Sequence, residues 1–235
     1  MPILTALTGT LANTGAVLVG GSLGLLAGSR LPERLRQAAL RAVGLAVIWI
    51  GLSMTLGSHA GPLLVIGSMA VGSVIGEWLD LERLLERWTR RAEAFGAGAP
   101  KAFVLSSLVF CVGPLTILGA IQDGLSGQHA LLFAKSLLDG ITALLFASAM
   151  GVGVLLAAAT VLIYQGAIAL GAAAARGIFT PPALAALSGV GGLMILAIGL
   201  NLCEIGRFRT ANLLPALVLA VAAAAVASTH GYTFP

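Results

Sequence analysis

An all-α, polytopic membrane bundle of about eight spans is what this chain predicts, and three observations carry that prediction. Hydrophobic residues make up 58% of the sequence and charged residues only 9%, against about 45–50% apolar in soluble domains. Apolar runs occur at 8–28, 42–58, 61–77, 102–121, 131–149, 154–175, 183–203 and 211–229, each close to the roughly 17–25 residues a crossing needs. The basic residues are also one-sided. With the loop after the first run in the cytoplasm, 11 of the 13 Lys and Arg fall on that side, leaving Lys135 and Arg176 opposite. Cytoplasmic loops carry such an excess, and an even span count puts both termini outside.

The first run, with Gly20, Gly24 and Gly28, and the third, with Ser68, Gly72 and Gly76, place small residues at i, i+4 on one face, where backbones approach closely. Such faces serve packing within the bundle or a homodimer seam. The run at 102–121 is read as one span. The fifth and sixth runs are separated only by Gly151 and Gly153, so seven spans, or a re-entrant pair near the middle, is the alternative. WLDLERLLERWTRRAEAF (78–95) sets Trp78, Leu81, Leu85, Trp88 and Phe95 at helical spacing among charges, which predicts a helix in the headgroup plane. LPERLRQAALR is a shorter version, with Pro32 suited to a first helical turn. The first eight residues, MPILTALT, have no basic n-region, so no cleaved leader is expected.

A repeat connects the two ends of the chain. AVGLAVIWIGLSM (42–54) aligns without gaps on VGGLMILAIGLNL (190–202), and TGAVLVGG (14–21) on QGAIALGA (165–172). Spans one to three then correspond to spans six to eight, an odd offset, so the two units face opposite ways. Inverted-topology repeats of this kind are common in transporters. The expected organisation is a single membrane domain: repeat one at 1–77, the cytoplasmic amphipathic helix at 78–100, a central hairpin at 101–153 and repeat two at 154–235.

Within these spans a few polar groups stand out. Asp123, Lys135 and Asp139 lie beside or within the fourth and fifth spans. An ionised Asp or Lys at a helix centre costs about 2.5–3.5 kcal/mol on insertion scales, so such residues are kept for a reason. Lys135 and Asp139 are four apart and can pair along one helix face. They are read either as a structural ion pair or as part of a polar pathway with Asp123. Asn13, Thr14, Tyr164 and Gln165 fall at matching places in the two repeats and are expected to line that pathway. A monovalent cation near Asp123 and Asp139 is one reading, since a carboxylate facing Lys135 stays ionised and suits coordination better than proton carriage. Glu77 and Glu204, at cytoplasmic helix ends, are expected to pair with nearby Arg.

Other chemistry is disfavoured. Cys111 and Cys203 lie in apolar runs without a CxxC, and His59, His129 and His230 are scattered, so neither redox nor zinc chemistry is implied. Gly124-Leu125-Ser126-Gly127 is similar to a rhomboid-type serine motif but has no histidine within a span to act as base. Asp123 and Asp139 lack the GxGD context of presenilin-type proteases. No P-loop occurs, and no cofactor or nucleic-acid partner is expected.

The motifs GTLANTGAVLVGGSLGLLAG, RLPERL, Gly76-Glu77, SSLVFCVG, IQDG, KSLLDG and YQG follow one another along nearly the whole chain. In this order they resemble the bacterial membrane proteins grouped as domain of unknown function 554. That resemblance implies an integral inner-membrane protein and carries over no substrate or catalytic residue. The expected function is a transporter or channel for a small ion or polar solute, not driven by ATP. The alternative is a non-transporting scaffold, with an intramembrane protease a distant third.

Overall fold

The computed structural model describes residues 3–28, 32–84, 98–172 and 178–229. Its regular elements are all helical: α1 (Ile3–Ala6), α2 (Thr8–Gly28), α3 (Glu33–Leu56), α4 (Pro62–Leu79), α5 (Ala99–Cys111), α6 (Pro114–Ser126), α7 (Ala130–Met150), α8 (Gly153–Leu170), α9 (Pro181–Leu202) and α10 (Leu214–Thr229), with a 3-10 turn at Thr210–Leu213. Proline opens α4, α6 and α9, where its missing N–H forfeits no intrahelical bond. Gly127, at φ 63°, closes α6 by donating its N–H to the Asp123 carbonyl at 3.1 Å, the left-handed ending that glycine adopts without strain. Most of the amphipathic stretch predicted at 78–100 lies outside the described residues.

Among the described residues six helices are long and apolar enough to cross a bilayer: α2, α4, α7, α8, α9 and Thr210–Ala227. Helices α5 and α6 pass the same test together but bend by 62° between them. The predicted single run at 102–121 is therefore interrupted, and Val112-Gly113-Pro114 is the cause. Pro114 cannot continue the donor ladder, and it drives the preceding residue out of the α region; Gly113 is extended, at φ −176° and ψ 147°. The remaining expected crossing corresponds to Leu40–Leu56 in α3, a shorter apolar segment.

Two compact units divide the chain. The first comprises Met1–Val43 and Arg90–Arg176, the second Gly44–Thr89 and Gly177–Pro235. Each is assembled from two separate stretches of the sequence.

In the first unit α2, α6, α7 and α8 all touch one another, and α5 packs on α7 and α8. Helices α2 and α7 run parallel in very close contact. A methyl group on Gly28 would come within 2.8 Å of Ser148 Cα, and one on Gly24 within 2.9 Å of the Leu144 carbonyl carbon. The glycine row thus brings two backbones together, as its spacing predicted. Helix α5 starts beside the start of α8, with Ala102 against Gly153 and Ser107 donating to Thr160 at 3.0 Å. Helix α6 ends beside the end of α8, with Gly124 against Ala169 and Ala172. The bent pair therefore advances along α8 in one direction, as a broken crossing does and a re-entrant hairpin does not.

In the second unit α4 packs on α10, bringing Gly72 against Ala216 and Gly76 against Asn212, while α9 touches both helices. The α3 segment of this unit crosses α9 through four glycines. A methyl on Gly51 would meet Leu196 N at 2.5 Å and the Gly192 carbonyl oxygen at 2.6 Å; one on Gly199 would meet Ile48 N at 2.7 Å and the Gly44 carbonyl oxygen at 2.9 Å. Gly44 likewise faces Cys203 N as Gly192 faces Thr55 N. These three contacts have counterparts at the same sequence offset. The glycines of both small-residue rows pack against helices of the same chain.

Candidate functional site

The polar interior of the first unit forms around one face of α2. Gly9 lies in the first turn of α2, where backbone N–H groups have no partner inside the helix. Its N–H donates to Asp123 Oδ2 at 2.9 Å, so the last turn of α6 caps α2 with a carboxylate, the charge that a helix N-terminus favours. A side chain at position 9 would collide with this arrangement: a Cβ there would stand 2.7 Å from Leu132 Cβ. The other oxygen of Asp123 is held by Nδ1 of His129, at the start of α7. Asp123 is fully buried and His129 partly exposed.

One turn further along α2, Asn13 donates from Nδ2 to Asp139 Oδ2 at 3.0 Å. The same oxygen pairs with the Lys135 ammonium, four residues earlier on α7. Both members of the pair are buried, at 7% and 6% exposure. Burying two ions costs several kcal/mol each, offset only with good geometry and further hydrogen bonds; the Asn13 amide supplies one. Gly9 and Asn13 are four residues apart, so the two carboxylates touch α2 roughly 6 Å apart along its axis. The structure brings Asp123, Asp139, Lys135 and Asn13 into one neighbourhood, as expected from the sequence. The broken pair α5 and α6 lies beside it, both halves packing on α7, the helix that carries Lys135 and Asp139.

Thr116 repairs part of that break, its hydroxyl donating to the freed Phe110 carbonyl at 3.0 Å. Thr14, expected to line a path, instead donates its hydroxyl to the Thr10 carbonyl at 2.9 Å, a local bond common for threonine in helices. Gln165 is fully buried, with neither amide atom partnered. Thr10 Oγ1, Asn13 Oδ1 and Ser106 Oγ are also buried without partners. Among the described residues no group of three or more His, Cys, Asp or Glu could hold a metal ion.

Sequence reasoning passed over Gly9, Thr10, Ser106, Thr116 and His129. The scatter of His59, His129 and His230 along the chain matches no metal site and gives no reason to single out His129. The signal was its distance from Asp123 across one tight turn.

In the second unit, the charged residues form a clasp. Arg209 donates to Glu77 Oε2 at 2.7 Å and pairs with Asp80, confirming the expected Arg partner for Glu77. The Asp80 hydrogen bond, with the nearby carboxylates, holds the exposed guanidinium above its ordinary pKa. Asn212 accepts the Glu82 N–H at 2.7 Å. Asn201 belongs to a turn, bonding the N–H and carbonyl of Phe208 at 2.8 and 2.7 Å.

Residues 8–225 match the family model described as "Protein of unknown function (DUF554)". The chain is similar to the uncharacterised protein YqgA of Escherichia coli (strain K12), 36% identical over 91% of this chain and 94% of that one. It is also similar to the uncharacterised membrane protein YdfK of Bacillus subtilis (strain 168), 30% identical over 90% of this chain and 93% of that one. No solved structure matches. The chain belongs to the DUF554 family, and it is a membrane protein by its apolar helices and by the likeness to YdfK.

Proposed function

From that membership we propose that the chain is a transporter or channel moving a small ion or polar solute across the bacterial inner membrane, without ATP and without an enzymatic step. The observation that carries this reading is the interrupted crossing α5–α6 packed on α7, which bears the buried Lys135–Asp139 pair. Broken helices and intramembrane ion pairs are costly in lipid and recur where a bundle handles a solute. Asn13, Tyr164 and Gln165 complete the polar lining. Both termini lie outside in this reading, and the lipid bilayer is the only partner it requires beyond the solute.

An inverted repeat belongs to the same reading. Its support is the glycine crossing of α3 and α9, where three of the close approaches recur between residues of equivalent position. Two helices related by a two-fold axis through their crossing would contact each other in this way.

Flux into liposomes containing the purified chain tests the proposal. Transport above protein-free vesicles, reduced by Asp139→Asn, is the expected result. The scaffold reading has its own observation: Asp123 is fully engaged by Gly9 and His129, and Asp139 is held by Lys135 and Asn13. Asp139→Asn and Asp123→Asn that lower thermal stability while leaving flux unchanged would establish these carboxylates as struts.

A further inference from the structure

Resting on the transport reading, we propose that the solute recognised by the first unit is small, uncharged and able both to donate and to accept hydrogen bonds, with Gln165, Asn13 and Thr10 as its contacts.

The charges in this interior are already answered. Lys135 and Asp139 neutralise each other, and Asp123 is held by the α2 N-terminus and His129. The unanswered atoms, all neutral, include Ser106 Oγ on α5 and, on three residues of α2 and α8 with no exposed surface, Gln165 Oε1 and Nε2, Asn13 Oδ1 and Thr10 Oγ1. A buried polar atom without a partner costs about 1–3 kcal/mol, and native proteins rarely leave such atoms unmatched. Four of them within one polar interior call for an occupant.

Helix geometry places them together. Helices α2 and α8 are antiparallel, with Leu7 against Gly166 at one end and Gly21 against Leu155 at the other. That register sets Gln165 level with the first turns of α2. Thr10 points within about 20° of the Gly21 direction, toward α8. Asn13 is turned about 60° from Thr10, toward α7, where it meets Asp139. Gln165 itself lies about 40° around α8 from Ala169, whose backbone carbonyl meets Gly124 of α6. All three side chains therefore project into the space that α2, α6, α7 and α8 enclose.

The atoms also select the charge of the guest. Asn13 uses Nδ2 as donor to a carboxylate, so its free oxygen is an acceptor. Gln165 offers one acceptor beside one donor-bearing nitrogen, and Thr10 can act as either. An alkali cation would leave the Gln165 amino group facing it or unpaired, and no carboxylate here is without a partner to balance the charge. An anion would meet two carbonyl oxygens and a lysine already neutralised. A neutral guest with donors and acceptors side by side, as in an amide, a urea or a polyol, satisfies all four atoms.

The test is solute flux in liposomes containing the full chain, with urea, glycerol and water followed by stopped-flow light scattering. Sodium, potassium and chloride are followed in the same preparation with ion-sensitive dyes. The expected result is urea or glycerol flux several-fold above protein-free vesicles, lost in Gln165→Leu and in Thr10→Val. Those variants remove unpartnered polar atoms rather than partnered ones, so a thermal midpoint at or above the parent's is expected alongside the loss. Ion flux without urea or glycerol flux overturns the inference and leaves the transport reading standing. Urea or glycerol flux indifferent to both substitutions overturns the assignment to these residues. No flux of any probe overturns both readings.

Discussion

Lys135 and Asp139 show how much a pair of residues can reveal and how much it conceals. Their spacing alone predicted an ion pair on one helix face, and that pair is present. Nothing in the spacing showed that α2 would supply Asn13 to the same oxygen, because that contact joins residues 126 apart in sequence. The pair's energetics make a sharp prediction. Removing one partner of a buried ion pair strands the other and typically costs about 3–5 kcal/mol, whereas apolar replacement of both is often neutral. Lys135→Met should therefore lower the unfolding midpoint in detergent strongly, and Lys135→Met with Asp139→Leu should recover most of the loss. A double variant no more stable than the single one would show that Asp139 contributes through Asn13 instead. Asp123 is a different case. It was singled out as a ligand, yet its oxygens hold the first turn of α2 and His129. Asp123→Ala should cost about 1–2 kcal/mol, the usual scale for a lost helix cap. Asp123→Asn, which keeps an oxygen for the Gly9 N–H, should cost less in the same thermal assay.

Among the elements, periodicity predicted existence and missed bending. The apolar run at 102–121 was read as one span because a hydropathy window averages over the very residues that break it. Gly113 and Pro114 were visible, but their effect depends on whether neighbours can satisfy the freed backbone groups. Here Thr116 does so for Phe110. Thr116→Val keeps the shape and removes that bond; it should destabilise by about 1–3 kcal/mol, the cost of leaving a buried acceptor unpaired. The glycine rows were more legible, since a small residue every fourth position has few uses other than close approach. Gly28→Leu would drive a side chain into the backbone at Ser148. Overpacking of this kind typically costs about 1–3 kcal/mol, and loss of the folded peak in size-exclusion chromatography, or a lowered midpoint, would register it. The sequence could not decide which helix fills each row; α7 and α10 do so because their own Gly140 and Ala216 are small enough to receive it.

For the whole molecule, the decisive feature is the direction in which each helix crosses. The charge distribution favours an even number of spans, an expectation that puts Arg207 and Arg209 in the cytoplasm and the loop before α7 outside. Packing inside the first unit bears on the same question through different residues. Helices α2 and α7 run parallel, and α5, α6 and α8 run together against them. That alternation agrees with α5 and α6 as one broken crossing and with an even number of crossings between α2 and α5, which Leu40–Leu56 and α4 would supply in the eight-span reading. Were α5 and α6 to enter and leave by the same face, the loop holding Gln128 would open to the cytoplasm. Single cysteines placed at exposed Gln128 and exposed Arg207, in a chain with Cys111 and Cys203 replaced by alanine, separate the two arrangements. A membrane-impermeant maleimide added to intact spheroplasts should label Gln128→Cys and spare Arg207→Cys, which should react only after permeabilisation. Labelling of both positions from outside would remove one crossing between them, and with it the pairing of helices on which the inverted repeat depends. Protection of Gln128→Cys in intact cells would make α5–α6 re-entrant and place the Asp123–His129 pair at the cytoplasmic face.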